Sequence, residues 1–526
     1  MEWFKGFLKN RREARYQLLL VVGIAITLNL LAEELVLRFD LTEDQRYTLS
    51  EASSDIAESL EDPVTVTAYF SEDLPPQLSQ ARDQFRNFLE EFRAYSDENL
   101  EYRFVNPNES EQTEQEAQQV GIQPVMIDVR ERDQVSQRRV YLGASFSYGE
   151  QREVVPFIRP GSSLEYAIAS TIKKLTIKEK PVIGLLQGHG EPSQDAIVQV
   201  ANELSQRYRI LDVAGLDTAA VPPEVEVLMV IAPSEELALN ELTAIDQYLM
   251  AGGKVIFAIN RVQADLQRGF ATPQETGIED LLAGYNIPVN PNLIRDASAS
   301  SIQIQQRQGG FTFVNQVQYP YLPMVTNFGA HPVSEGLETV VFQFVSSLDT
   351  ADVDSVQSVR LLAMSSDQAG ISSGRFNLDP MQDWSEEDFP ESSIPLGAVV
   401  EGRFRSAFAG VDTVEVALEK SQETAIIVFG DGDFVINGTG QQRQRQPEDN
   451  INLMVNSVDW LADDTGLMSL RTKGVTNRPL MNVSDGTKAF LKYLNLLFPI
   501  LMVVGYGLLR YRRRIARRRR WMEEGV

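Results

Sequence analysis

Two short loops carry the side chains best suited to chemistry. Gln187-Gly188-His189-Gly190-Glu191 follows the apolar run Pro181 to Leu186 and precedes a helical pattern from Ser193 to about Arg207. Open α/β sheets bind ligands where strands end and helices begin, and helix N-termini favour anions. The second loop, Gly430-Asp431-Gly432-Asp433-Phe434, follows another apolar run, Ala425 to Phe429. Two carboxylates at this spacing suit Mg²⁺ or Ca²⁺, and they equally suit a helix cap or a fixed turn. The candidate ligand- or partner-binding residues are therefore Gln187, Gly188, His189, Gly190, Glu191, Asp431 and Asp433.

Other chemistry is excluded or unsupported. The chain has no cysteine, which removes thiol nucleophiles, disulfides and Cys-ligated metals. It has two histidines, His189 and His331, so a three-histidine metal site is impossible and a two-histidine site needs both. There is no H-E-x-x-H, no Walker loop and no G-x-G-x-x-G after a strand. No catalytic residue, metal ligand set or cofactor is assigned.

The elements that must hold these loops read as alternating strands and helices. Ser50 is a candidate N-cap for a helix ending near Leu60. Val64 to Tyr69 is a strand, and Gln77 to Tyr95 a helix with Phe85, Phe88, Leu89 and Phe92 at helical spacing. Leu100 to Val105, Glu111 to Gln119, a strand after Pro124 and two more up to Phe157 complete a β-α-β-α-β-β order, followed by the helix Ser163 to Thr176. That order resembles a thioredoxin-like domain, redox-inactive here for want of cysteine. Strands at 181–186, 209–213, 225–231 and 254–259, with a helix at 239–250, predict a doubly wound sheet. Residues 263–395 read as an irregular insertion, after which strands at 397–401 and 425–429 and a helix at 450–462 resume the pattern.

The composition is that of a folding chain, with 43% hydrophobic residues among 526. Its net charge of −26 hides an asymmetry. The two ends, 1–17 and 510–526, hold 13 of the 48 basic residues and 4 of the 74 acidic ones, leaving 35 basic against 70 acidic between them. So acidic a body makes nucleic acid a poor partner.

The apolar stretches 18–37 and 490–510 are long enough to cross a bilayer. Arg11, Arg12 and Arg15 flank the first, and Arg512, Arg513, Arg514, Arg517, Arg518, Arg519 and Arg520 flank the second. Positive flanks stay cytoplasmic. The expectation is two uncleaved transmembrane helices in a bacterial inner membrane, both termini cytoplasmic, and an extracytoplasmic body. Asn29, Asn495, Gly505 and Gly507 are the candidates for helix packing, and the Arg tail for contact with membrane lipid. The expected divisions are 1–17, 18–37, 38–160, 161–465, 466–489, 490–510 and 511–526.

Several phrases together, RYTLSEAS, DPVTVTAYFSEDLPP, VNPNE, GIQPV, LEYAIASTIKKLT, KPVIGLLQGHGE, VFGDGDF and NSVDWLADD, resemble the GldG-like auxiliary family of bacterial ABC transporters, some associated with gliding motility. The resemblance is weak or absent across 263–320. It implies an α/β domain similar to the GIFT domain, itself related to glutamine-amidotransferase-like folds, with no counterpart of the amidotransferase cysteine. It also implies a non-catalytic subunit beside an ABC permease and a separate ATPase, with a second extracytoplasmic subunit or self-association as a further contact. A stand-alone membrane-anchored scaffold and a hydrolase using His189, Glu191 or the aspartate pair are the alternatives.

Overall fold

The computed structural model describes residues 49–470, apart from 132–133, 159–162, 178–179, 217, 267, 309–310, 351–356, 375, 412–413, 415, 465 and 469. It also describes isolated helical positions at 23, 492, 497, 502, 505–507, 511–513 and 515. The first part begins with α1 (Glu51–Glu58), where Ser50 accepts the Ser53 amide as an N-cap. Then come β1 (Val64–Phe70), α2 (Pro76–Tyr95), β2 (Leu100–Val105), α3 (Glu111–Val120), β3 (Val125–Glu131), β4 (Gln134–Val140), β5 (Leu142–Tyr148), β6 (Gln151–Val155) and α4 (Leu164–Thr176). Ser110 and Thr113 form a reciprocal capping box at the start of α3, and Gly121 ends that helix at φ 100°. One sheet has the order β2-β1-β5-β6, with β1 parallel to β2 and antiparallel to β5. Phe85, Leu89 and Phe92 of α2 and Ile168 and Ile172 of α4 are buried in its core, which Leu467 and Leu470 join.

The second part contains β7 (Val182–Leu186), α5 (Val198–Ser205), β8 (Arg209–Val213), β9 (Val225–Ile231), α6 (Leu239–Met250) and β10 (Lys254–Ala258). It continues with β11 (Val262–Asp265), β12 (Phe270–Pro273), α7 (Ile278–Gly284), β13 (Asn292–Asp296), β14 (Ala299–Gln308), β15 (Phe311–Val325) and β16 (Asn327–Phe328). The last elements are β17 (Val340–Val341), β18 (Gln357–Met364), β19 (Ala369–Ser373), β20 (Pro395–Arg405), β21 (Lys420–Phe429) and α8 (Glu448–Leu461). An eight-stranded sheet runs β16-β18-β20-β21-β10-β9-β7-β8. Its strands alternate between two cores. Ile183, Leu185, Met229, Ile256 and Ile427 face α5 and α8. Leu186, Leu228, Val230, Phe257 and Val428 face α6 and α7. Each such side chain, fully buried, contributes about 1.5–3 kcal/mol before entropy is counted.

The expected fold class is corrected in three respects. Among the described residues no helix is long and apolar enough to cross a membrane. The longest, α2, has 20 residues and carries Arg82, Asp83, Arg86, Glu90, Glu91 and Arg93. The expectation of two transmembrane helices, and of an inner-membrane location with both termini cytoplasmic, is therefore withdrawn. The stretches on which it rested lie outside the described residues except at isolated positions, as do Asn29, Asn495, Arg11, Arg12, Arg15, Arg514 and Arg517 to Arg520. Gly505 and Gly507 are helical with open space where a Cβ would stand, and Arg512 and Arg513 are exposed.

Second, the strand after Pro124 leaves the first sheet. β3 pairs only with β4, as a separate hairpin, and this departs from the thioredoxin-like reading. Third, the large sheet is mixed rather than doubly wound throughout. β8, β7, β9, β10 and β21 are parallel, whereas β20, β18 and β16 extend the sheet antiparallel. No crossover helix joins β20 to β21, and without one the second strand returns antiparallel. The described residues of 263–395 form strands and packed loops rather than an irregular insertion. The long β14–β15 hairpin and the pair β13–β19 surround a satellite core containing Leu293, Tyr319, Tyr321 and Leu378.

Candidate functional site

The carboxyl ends of β7, β9, β10 and β21 lie side by side, so the loops after them converge. The loop after β7 is longer than the sequence suggests. α5 begins at Val198 rather than Ser193, and its first residue lacks a side-chain cap. Pro192 and a turn separate Gln187–Glu191 from the helix, so the loop does not run directly into the N-terminus of α5.

Inside that loop the polar groups bind one another. The Gln187 side-chain Nε2 donates to the carbonyls of Leu186 (2.8 Å) and Pro192 (3.0 Å). The His189 amide donates to Glu191 Oε2 at 2.6 Å. The His189 ring lies between two carboxylates, Nδ1 at 3.1 Å from Glu191 Oε1 and Nε2 at 3.0 Å from Glu241 Oε2 of α6. Each ring nitrogen thus faces one carboxylate oxygen at hydrogen-bond distance. The His189 carbonyl in turn accepts the amides of Ser234 and Glu235. Gly190, at φ 81°, passes so near Ser234 that a Cβ would stand 2.0 Å from its hydroxyl oxygen. Only glycine fits, for both conformation and space.

The second loop is also built into the protein. Asp431 is fully buried. It accepts the Gln343 amide at 2.6 Å and the Asp433 amide at 2.7 Å. Burial, then the charge of Asp433, pushes its carboxyl well above the usual range, while the amides of Gln343, Asp433 and Phe434 oppose the shift. Burial also raises Asp433, against a hydrogen bond from Asn260. Asn260 Oδ1 accepts the Gly432 amide at 2.8 Å. Among the described residues no group of three or more His, Asp and Glu side chains is placed to hold a metal ion. His331 lies far from both loops in role: its ring packs edge-on against Trp460 at 4.8 Å.

A cavity of about 380 Å³ opens where the loops meet. Of the candidates named from sequence, Gly190 and Asp433 line it, while Gln187, Gly188, His189, Glu191 and Asp431 do not. Asn260, Gln263, Gln274, Gln343, Ser234 and Phe344 line it as well, and sequence reasoning missed them. Asn260 carried a signal, since it stands just after an apolar strand as Asp431 does. Gln343 and Phe344 carried none, because they arrive from the part of the chain that resisted reading.

Comparison with known proteins places the chain. A family model described as an ABC-type uncharacterized transport system matches residues 180–459, just over half of the chain. The chain belongs to this family of ABC transport auxiliary proteins. A second model, a domain of unknown function (DUF7088), matches residues 43–147. An uncharacterized protein of Borreliella burgdorferi is 22% identical over 504 residues, covering 91% of this chain and 94% of the relative. Among solved structures, the mmIFT52 N-terminal domain is similar at 15% identity and TM-score 0.32, over 53% of this chain and 97% of that one. A ThuA-like protein from Parabacteroides merdae is similar at 11% identity and TM-score 0.27, over 54% of this chain and 90% of that one. Neither likeness is strong enough to attach a GIFT-like or thioredoxin-like name to either sheet.

Proposed function

We propose that the chain is a non-catalytic accessory subunit of an ABC transport complex, acting beside a permease and a separate ATPase. The family supports an accessory role in ABC transport. The absence of a Walker loop from the sequence means that ATP hydrolysis would have to be supplied by another polypeptide. The observation that carries the non-catalytic part is the state of the His189 ring. It is held between Glu191 and Glu241, with Glu191 also bound to the His189 amide, so neither residue is presented to a reacting atom. Asp431 is likewise sealed by backbone amides. The mechanism is coupling by shape, in which ATP-driven movement of the permease is passed to this subunit through their contact.

The test is affinity purification of the tagged full chain from cells cross-linked in vivo, followed by mass spectrometry. A permease and an ATPase enriched together are expected. A preparation containing neither contradicts the proposal.

A further inference from the structure

We propose that the cavity at the carboxyl edge of the large sheet is a binding site for a small organic cation, a protonated amine, recognised by the carboxylate of Asp433 and the neighbouring amide side chains. This goes beyond the accessory role and stands whichever polypeptides the chain accompanies.

Four independent observations converge on the cavity. It occupies the crevice outside the carboxyl ends of β7, β9, β10 and β21, where open α/β sheets bind ligands. Its polar lining is dominated by side-chain amides, with Asn260, Gln263, Gln274 and Gln343 all contributing. Several of these are fixed by second bonds. Gln274 Nε2 donates to the Pro233 carbonyl at 2.7 Å, which leaves its amide oxygen for a ligand. Asn260 is held by the Gly432 amide.

The charge lining is one-sided. Asp433 is the single charged side chain among the described lining residues, and no Lys, Arg or His joins it. The nearest arginine in sequence, Arg261, is buried and turned to the carbonyls of Val289 and Gln274 and to Glu279. Phosphates and carboxylates would meet a carboxylate with no counter-charge, so anions do not fit. A protonated amine supplies the missing charge and donates to carboxylate and amide oxygens together.

Backbone strain gathers at the same place. Ala232 (φ 44°) and Phe344 (φ 54°) both adopt the left-handed conformation that favours glycine, and both line the cavity. Such strained residues concentrate where structure is held for a ligand. Gly432 must approach Ala232 closely, since a Cβ on it would stand 2.7 Å from the Ala232 amide nitrogen. The strained walls are therefore held against the loop that presents Asp433.

Asp431, whose carboxyl feels the charge of Asp433, is fully buried and does not line the cavity. Burial raises the Asp433 carboxyl, so cation binding tightens as pH rises and the ionised form grows.

The experiment is calorimetric titration of the purified full chain with 1,4-diaminobutane and glycinamide. Their neutral counterpart 1,4-butanediol and the anion succinate are titrated alongside. Saturable binding of at least one amine is expected, tightening with pH, with no binding of succinate. Asp433→Asn, which keeps the shape, is expected to weaken amine binding about 30-fold or more. Gln263→Lys, at an exposed lining position, is expected to do the same by repulsion and keeps the test available should the first variant fold poorly. Absence of saturation by either amine overturns the proposal. So does butanediol binding as tightly as diaminobutane, or amine binding indifferent to both substitutions. Co-purification of transport components has no bearing on these results.

Discussion

His331 offers a quantitative check on how the α/β core is assembled. Its side chain is almost wholly buried, with 1% of the residue exposed, and Nε2 has no hydrogen-bond partner among the described residues. Nδ1 accepts the Val333 amide at 3.3 Å. Burial, reinforced by the charge of Arg360, lowers its pKa from 6.5 to about 4. The unfolded chain therefore binds a proton that the folded chain resists between these values. The stabilising contribution is full above about pH 6.5 and is lost as pH falls through about 4. Integrating from pH 7 to pH 4.5 gives a loss of about 2 kcal/mol from this residue. His331→Phe keeps an aromatic ring against Trp460 and removes the titrating group. Urea denaturation of both proteins at the two pH values, followed by far-ultraviolet circular dichroism, isolates the term as a difference of differences. The wild type is expected to lose about 2 kcal/mol more than the variant on acidification. Equal losses would refute the reasoning, because they would mean that the ring reaches water and titrates normally.

Three further outcomes follow from contacts already described or close to them. Asp246 is fully buried and accepts from Tyr285 Oη (2.9 Å), Ser406 Oγ (2.7 Å) and the Ala407 amide (3.0 Å), joining α6, α7 and the loop after β20. Asp246→Ala leaves these donors unpaired and is expected to cost about 3 kcal/mol or more, read as a lower denaturation midpoint. Gly190→Ala is expected to destabilise by about 2 kcal/mol, and adding Ser234→Ala to recover part of it by removing the hydroxyl that the new methyl meets. Breaking the pair between Arg207 and Asp459, which also holds Tyr208 Oη at 3.0 Å, with Asp459→Ala is expected to cost about 1–3 kcal/mol in thermal unfolding.

Much of the frame was legible because it depends on local signals. The alternation Val64 to Phe70, the helical spacing of Phe85, Leu89 and Phe92, and the cap at Ser50 each act over a few residues. The apolar run of β7 is of the same kind. What could not be read is non-local. β16 and β18 join the large sheet through pairings with residues far along the chain, and β13 finds β19 across the long β14–β15 hairpin. α5 begins at Val198 rather than Ser193 because the chain first makes a turn stitched to Asn437, a partner far along the chain.

The candidate loops were found by position, since each follows an apolar strand. Their roles were not, because the partners of His189 and Asp431 come from α6 and from Gln343. Such partners appear only once the sheet is assembled. The basic flanks and apolar ends gave a strong local signal for membrane helices, and no described helix matches it.

The most direct test of the central claim is the mass of the native species that contains this chain. After mild extraction, mass photometry and peptide sequencing of the tagged preparation are expected to show a particle well above the 59.0 kDa of the chain, containing a permease and an ATPase in fixed ratio. A homogeneous particle of the chain's own mass, with neither partner, would contradict the account.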